Sequence, residues 1–148
     1  MVAVREVAGR DLQRVKRFYL QAEYLLPLEP TDRILVAETN GMIVGALRLC
    51  SEQGLLVLRG MRVREGMRRQ GIGAALLLEV DRSLGASPCF CIPHSHLELF
   101  YEKAGFRRVP DGSGPQFLQQ RCLQYRQRGL DVILMERPAG APETGRGS

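Results

Sequence analysis

The sequence of 148 residues has no tryptophan, only two histidines and only two lysines among its 21 basic residues. It has no apolar run near the roughly 18 residues that a membrane-spanning helix needs. Its four cysteines form no CxxC pair, and Arg5 and Glu6 stand where a signal peptide would be apolar. These absences argue against a membrane protein, a zinc module and a secreted protein. We therefore expect no metal, a cytoplasmic location and cysteines that are buried apolar fillers.

The composition is that of an ordinary globular domain, with 45% hydrophobic and 25% charged residues. The length fits one domain, which we place at residues 1–137. Residues 138–148 contain Gly, Pro, Thr and Ser but no large apolar residue. This composition predicts a disordered C-terminal tail.

The hydrophobic pattern predicts the element order β-α-β-β-β-α-β-α-β-α-β. Asn40-Gly41 indicates a type I′ hairpin turn, and Gly60 inside the fourth predicted strand, Leu55 to Arg64, indicates a bulge or a close backbone approach. Ser95 and Glu98 have the spacing of a capping box, which predicts a helix with Ser95 as its N-cap. The apolar run Leu130 to Met135 predicts the last strand.

Positive charge is concentrated in one short stretch. The formal net charge is +5, and five arginines lie between Arg59 and Arg69 against the single acidic residue Glu65. This stretch leads into Gly71-Ile72-Gly73 and a helical pattern, so unpaired N–H groups at a helix start would meet an Arg-rich turn. The combination predicts a phosphate-binding site.

Two common phosphate motifs do not fit this turn. The dinucleotide fingerprint GxGxxG requires a glycine where Leu76 stands, and the GK[ST] sequence of the P-loop is absent. The segment from Arg68 to Gly73 instead resembles the [QR]xxGx[GA] pyrophosphate motif of the GNAT acetyltransferase superfamily. It follows Met61-Arg62-Val63, as in that superfamily, and Tyr101 to Phe106 resembles the Y-E-K-x-G-F signature.

The resemblance covers residues 1–137 and implies an α/β fold with a mixed, mostly antiparallel sheet and helices on both faces. Only the predicted helix near Leu118 to Tyr125 is unusual. It further implies an acetyl-CoA-dependent N-acetyltransferase that needs no metal, in which Tyr101 protonates the departing thiolate. The residues that it implies for coenzyme binding belong to one segment: Met61, Arg62, Val63, Arg68, Arg69, Gln70, Gly71, Ile72, Gly73 and Ala74.

The sequence departs from the family pattern at the general base. Leu55 to Val63 contains no carboxylate, although many members carry a glutamate on this strand. His94 stands where the family often has asparagine, and an imidazole suits base catalysis near neutrality. Alternatively, His94 replaces this asparagine only in holding pantetheine or the turn, and Glu65 is a weaker candidate base. The missing carboxylate also leaves open a degenerate domain that binds acyl-CoA as a sensor.

The acceptor is the least determined part of the prediction. The resemblance implies that the acceptor site is walled by Tyr24, Glu29 and Asp32 on one side and by residues 116–128 on the other. These charges have both signs, so a small-molecule amine and a peptide amine both remain open. Nucleic-acid binding lacks a recognised motif, and a monomer and a homodimer are both possible.

Overall fold

A computed structural model describes residues 2–140. These residues form seven β-strands: β1 Ala3–Glu6, β2 Arg33–Thr39, β3 Met42–Glu52, β4 Leu55–Val63, β5 Cys89–Cys91, β6 Arg107–Arg108 and β7 Met135–Arg137. They form four α-helices: α1 Leu12–Gln21, α2 Ile72–Leu84, α3 Glu98–Glu102 and α4 Gln116–Gln127. Single 3-10 turns at Gly9–Asp11 and Ser95–Leu97 precede α1 and α3. The predicted element order is confirmed, including the extra helix, α4.

The chain divides into two compact units between residues 82 and 83. In the first unit, β1 to β4 pair in sequence order, and every pair is antiparallel. The β2–β3 turn has positive φ at both Asn40 (53°) and Gly41 (74°), which confirms the type I′ turn. Gln53 (51°) and Gly54 (79°) repeat this geometry between β3 and β4.

Helices cover both faces of the first unit's sheet. Val15, Phe18 and Tyr19 of α1 are buried in a cluster that includes Ala46 of β3. The neighbouring Gly45 faces the other way, where a Cβ would lie 2.9 Å from a side-chain carbon of Ile72 in α2. Because successive strand residues point to opposite faces, α1 and α2 pack on opposite sides of β3.

The second unit contains three strands in the order β5-β7-β6, again with antiparallel pairs. The predicted last strand is wrong: the ladder begins only at Met135 and runs to Arg137. Val132 forms one isolated bridge to His94, and the Ile133 N–H donates to Pro93 O at 3.0 Å. Residues 132–134 of the run are therefore buried but irregular, and Leu130 is exposed.

Arg137 explains why the pattern missed this strand. Its side chain is fully buried, and its guanidinium donates to Ala104 O at 3.2 Å, Ser87 O at 2.8 Å and Gly85 O at 2.7 Å. These carbonyls follow α3 and α2, where helix ends leave acceptors unsatisfied. A charged residue thus occupies a core position that a hydrophobic pattern excludes.

The predicted capping box is also wrong. His94 is the N-cap of the turn, with no side-chain hydrogen bond. The Ser95 hydroxyl donates to Asp131 Oδ2 at 2.7 Å instead, and the Glu98 carboxylate pairs with Arg108 at 3.0 Å. Both side chains therefore use partners distant in sequence rather than the local amides.

The four cysteines are buried, as predicted, and they form no disulfide with one another. None of the helices within residues 2–140 is both long and apolar enough to cross a membrane. Residues 141–148 of the predicted tail lie outside the described residues. The assignment of residues 1–137 to a single domain therefore stays a prediction, as does disorder of the tail.

Candidate functional site

The loop between β4 and α2, residues 64–71, contains most of the predicted phosphate-binding residues. Arg68, Arg69, Gln70 and Gly71 are exposed. The backbone reverses through three left-handed positions, with φ of 90° at Gly66, 66° at Arg69 and 81° at Gly71. An ideal Cβ on Gly71 would have no heavy atom within 4 Å. The loop therefore leaves open space at the start of α2.

The first turn of α2 has amides available for a ligand. The Ala75 N–H makes the first helical hydrogen bond, to Gly71 O at 2.9 Å. The amides of Ile72, Gly73 and Ala74 precede it and have no partner within the helix, where the helix dipole is positive. Ile72 buries its side chain, with only 2% exposed, so it can offer only its backbone. These features fit an anionic group such as a pyrophosphate.

The predicted residues on β4 are half-buried. Arg62 is already engaged: its Nη1 donates to Met61 O at 3.0 Å, and its guanidinium lies 5.0 Å from the ring centre of Tyr24. Val63 pairs with Gly45 of β3. The backbone of this strand is thus fixed on the β3 side directly before the loop begins.

Gly60 forms a bulge in β4, as the sequence predicted. Ala46 pairs with Arg62, but Arg48 pairs with Arg59, so β4 has one residue more than β3 in this interval. Gly60 has a φ of 68°. A Cβ there would lie 3.0 Å from Tyr24 Cζ and 3.2 Å from Arg48 Cδ, so only glycine fits both the backbone and the space.

A buried polar network that the sequence did not predict surrounds this bulge. Arg48 binds Asp32 with an Nη2–Oδ2 distance of 2.7 Å, and their side chains are 3% and 1% exposed. Arg48 also donates to the Tyr24 hydroxyl and to Pro27 O, the latter at 3.1 Å. Burial raises the pKa of Tyr19, whose hydroxyl donates to Gly60 O at 2.9 Å.

Of the residues expected to wall the acceptor site, Asp32 belongs to this buried network. The Asp32 carboxylate forms an ion pair with Arg48 and accepts a hydrogen bond from the Glu29 N–H at 2.9 Å. It therefore stabilises the fold and is not available to an acceptor. Glu29 itself is exposed. No short sequence pattern identifies Arg48 as the partner of Asp32. The available signal is that Arg48 is a charged residue among the apolar residues of β3, which indicates a buried partner of opposite charge.

The predicted catalytic residues lie in the second unit. Tyr101 on α3 is 4% exposed, and its ring makes edge contacts with Phe100 and Phe106 at centroid distances of 5.2 and 5.9 Å. Gly105, with a φ of 93°, ends this helix in the predicted left-handed conformation. The ring of Tyr101 is therefore fixed by aromatic packing.

His94 has a different environment. It is exposed, its backbone bridges to Val132, and its ring stacks on His96 at 5.9 Å. An exposed imidazole can exchange protons with solvent. Within residues 2–140, no three His, Cys, Asp or Glu side chains come together as a group that could hold a metal ion.

Comparison with known families gives a direct assignment. The family model described as an acetyltransferase (GNAT) domain matches residues 30–108, more than half of the 148 residues. The chain belongs to the GNAT acetyltransferase family. Comparison with curated proteins found no match.

Solved structures agree with the predicted GNAT fold. A GNAT-family acetyltransferase from Streptococcus pneumoniae has a TM-score of 0.69 at 18% identity, covering 95% of this chain and 100% of that one. The ribosomal-protein-S18-alanine N-acetyltransferase of Escherichia coli has a TM-score of 0.67 at 17% identity, covering 100% and 99%. N-acetylglutamate synthase from Neisseria gonorrhoeae, complexed with coenzyme A and N-acetyl-glutamate, has a TM-score of 0.61 at 20% identity, covering 93% and 35%.

The Gly60 bulge gives a prediction about the GNAT core. Gly60→Ala should lower the free energy of unfolding more than Gly54→Ala does, because both positions have left-handed φ but only Gly60 is crowded. At either position, we expect the strained backbone to lower the free energy of unfolding by about 1–2 kcal/mol. At Gly60, we expect a further loss of at least about 1 kcal/mol, because the added Cβ must displace Tyr24 and Arg48. Urea denaturation measures both. Equal losses would show that the crowding has no energetic effect.

Proposed function

We propose that this protein is an acetyl-CoA-dependent N-acetyltransferase that acetylates a primary amine by direct attack. The observation that carries the proposal is the open, glycine-lined start of α2 next to exposed Arg68, in a chain that belongs to the GNAT family. The coenzyme A in the related Neisseria gonorrhoeae structure supports the choice of cosubstrate.

Residues 68–74 hold the pyrophosphate in this proposal. The amides from Arg69 to Ala74 donate to phosphate oxygens, and Arg68 adds positive charge. Met61 and Val63 offer backbone groups to the pantetheine arm. Arg62, whose side chain bonds to Met61 O, keeps this strand segment in place. Acetyl-CoA supplies the thioester on which the reaction depends.

The reaction requires two proton movements. A neutral amine nitrogen attacks the thioester carbonyl carbon, so a C–N bond forms and the C–S bond breaks. Tyr101 donates its hydroxyl proton to the sulfur, while the proton released by the amine passes to His94 or to water. Tyr101 is suited to its role because its packed ring fixes the direction of the hydroxyl.

His94 is the proposed base, with water as the alternative. Its exposure permits proton exchange with solvent, and residues 55–63 offer no carboxylate. The acceptor is a small-molecule or peptide amine. The names of two related structures, an S18-alanine N-acetyltransferase and an N-acetylglutamate synthase, include one acceptor of each kind.

A sensor that binds acyl-CoA without turnover is the alternative function. The lack of a carboxylate on β4 supports it. The two functions differ in thiol release: an enzyme releases free coenzyme A thiol when acetyl-CoA is mixed with an accepted amine, and a sensor does not. A panel of amino acids, polyamines and peptides with free N-termini, with thiol detection, therefore separates them.

Coenzyme binding should depend on Gly71. In the wild type, acetyl-CoA at about 100 times its dissociation constant should stabilise the fold by about 2.7 kcal/mol. Gly71→Val should abolish this stabilisation, because the branched side chain would fill the open space that the pyrophosphate would occupy. Thermal melting with and without acetyl-CoA measures it.

Gly112→Val is the matched control. Gly112 has a φ of 83° and no atom within 4 Å of an added Cβ, so the backbone strain is comparable. Acetyl-CoA should raise the melting temperature of Gly112→Val as much as that of the wild type, even if the variant without ligand melts at a lower temperature than the wild type. If acetyl-CoA raised the melting temperature of Gly71→Val as much as that of the wild type, the coenzyme site would lie elsewhere.

The role of His94 is tested against the neighbouring histidine. If His94 accepts the proton of the amine, His94→Ala should lower kcat/KM at least about tenfold, because a positioned base typically contributes about 10² to 10⁴ in rate. His96→Ala removes another exposed histidine and should retain the wild-type kcat/KM. Wild-type kcat/KM in His94→Ala would assign the proton to water.

The role of Tyr101 is tested by removing one oxygen atom. Tyr101→Phe keeps the ring contacts with Phe100 and Phe106, so the melting temperature and acetyl-CoA affinity should barely change. The kcat value should fall at least about tenfold, because a positioned acid typically contributes about 10² to 10⁴ in rate. Tyr125→Phe, a half-buried tyrosine on α4, should retain wild-type kcat. Normal turnover in Tyr101→Phe, with damage only in Tyr101→Ala, would make Tyr101 a packing residue.

A further inference from the structure

A second basic site lies in the first unit, and residues 68–74 are not among those that line it. A cavity of about 240 Å³ is lined by Arg14, Arg17, Phe18 and Gln21 of α1, by Ile43 of β3 and by Arg64. The four α1 residues have the spacing of one helix face. We call this space the α1 cavity. Its volume holds several water molecules, at about 30 Å³ each, but is below the roughly 300–1,000 Å³ of a drug-sized pocket.

Arg14 contributes little free charge to the α1 cavity. Its guanidinium lies 3.2 Å from Asp11 Oδ1 and 3.0 Å from Glu38 Oε2. Arg5 binds the same two carboxylates, at 3.1 and 2.8 Å. These arginines lower the pKa of both carboxyl groups, to about 2 for Asp11. Two arginines and two carboxylates therefore balance one another.

Arg17 and Arg64 are not balanced in this way. Within residues 2–140, the Arg17 side chain has no hydrogen bond or ion pair, and the Arg64 side chain has no carboxylate partner. Arg64 Nη2 donates to Ile43 O at 3.2 Å, but its Nε is buried and has no hydrogen-bond partner. A buried donor without an acceptor is unfavourable and uncommon in folded proteins. Two uncompensated guanidinium groups thus line one small cavity, and one has a free donor.

We propose that the α1 cavity binds the phosphate group of a small phosphate monoester, as an anion site separate from the α2 start. A guanidinium can present paired N–H donors to phosphate oxygens. On binding, the Arg64 side chain would turn so that its Nε, which is buried in the free protein, donates to the phosphate. Arg17 would supply a second charge, and Phe18 and Ile43 would form an apolar wall for the remainder of the ligand. The phosphate could belong to a separate small ligand or be the 3′-phosphate of coenzyme A. The proposal does not depend on acetyl transfer.

The buried Arg64 Nε–H is a local reporter for this site. Its ¹H–¹⁵N signal is identified by its loss in Arg64→Lys. Inorganic phosphate should shift this signal saturably in the wild type, because the anion becomes the missing acceptor. Arg17→Gln should weaken the dissociation constant read at this signal by about tenfold, as expected for the loss of a charged hydrogen-bond donor.

Arg10→Gln is the matched control, since Arg10 is also exposed and the substitution removes the same charge. It should change the phosphate dissociation constant less than about twofold. A signal that does not respond to phosphate would overturn the proposal. So would the same affinity in Arg17→Gln as in the wild type, because nonspecific attraction to net charge would then suffice.

Coenzyme A and 3′-dephospho-coenzyme A distinguish the two sources of phosphate. If the coenzyme's 3′-phosphate occupies the cavity, Arg17→Gln weakens coenzyme A about tenfold but leaves 3′-dephospho-coenzyme A unchanged. If a separate ligand occupies it, inorganic phosphate still shifts the Arg64 signal when coenzyme A is saturating. Either result sustains the anion site. If neither coenzyme binds the wild type, the proposed acetyltransferase function fails, while the phosphate titration still decides the α1 cavity.

Discussion

The left-handed glycine in the middle of β4 is the constraint on which the first unit depends. Gly60 has a φ of 68° and lies against Tyr24 and Arg48. Its carbonyl accepts the Tyr19 hydroxyl, so the bulge is tied to α1 as well as to β3. The same point fixes the α1–β2 loop, since Arg48 binds both Asp32 and Pro27 O. One backbone irregularity therefore organises a helix, a loop and two strands directly before the predicted pantetheine-binding residues.

The arginines of this protein differ in the partners that their guanidinium groups have. Arg48 and Arg137 are core residues, and their guanidinium groups are tolerated there because buried acceptors satisfy them. Arg5 and Arg14 share two carboxylates and join β1, α1 and β2. Arg68 and Arg69 are exposed on a loop. A count of arginines therefore says little about anion binding, whereas the partners of each guanidinium say a great deal.

The two proposed anion sites use different physical means. At the α2 start, the donors are backbone amides whose orientation the helix fixes, so affinity depends on glycine geometry more than on side-chain charge. In the α1 cavity, the donors are side chains, and the fold brings together Arg17 and Arg64 from distant points of the sequence. The first site is accordingly sensitive to added bulk and the second to lost charge.

The sequence by itself determined the features that short segments control. The Asn40-Gly41 turn, the Gly60 bulge, the left-handed end of α3 at Gly105 and the open start of α2 all depend on glycine conformation or on a helix end, which a few neighbouring residues specify. The GNAT motifs are of this local kind, so the family could be predicted, while the roles of the candidate site residues stay predictions.

Only the tertiary structure decided where long-range polar partners meet. Ser95 lost its predicted capping role because its hydroxyl finds Asp131, 36 residues away. The last strand lay beyond its apolar run because Arg137 is buried against the carbonyls of Gly85 and Ser87. Asp32 became a structural group through Arg48, and the α1 cavity formed between α1 and Arg64. Hydrophobic periodicity predicts which residues become buried. It does not predict which acceptor a buried donor binds, because the partner depends on how distant segments pack against one another.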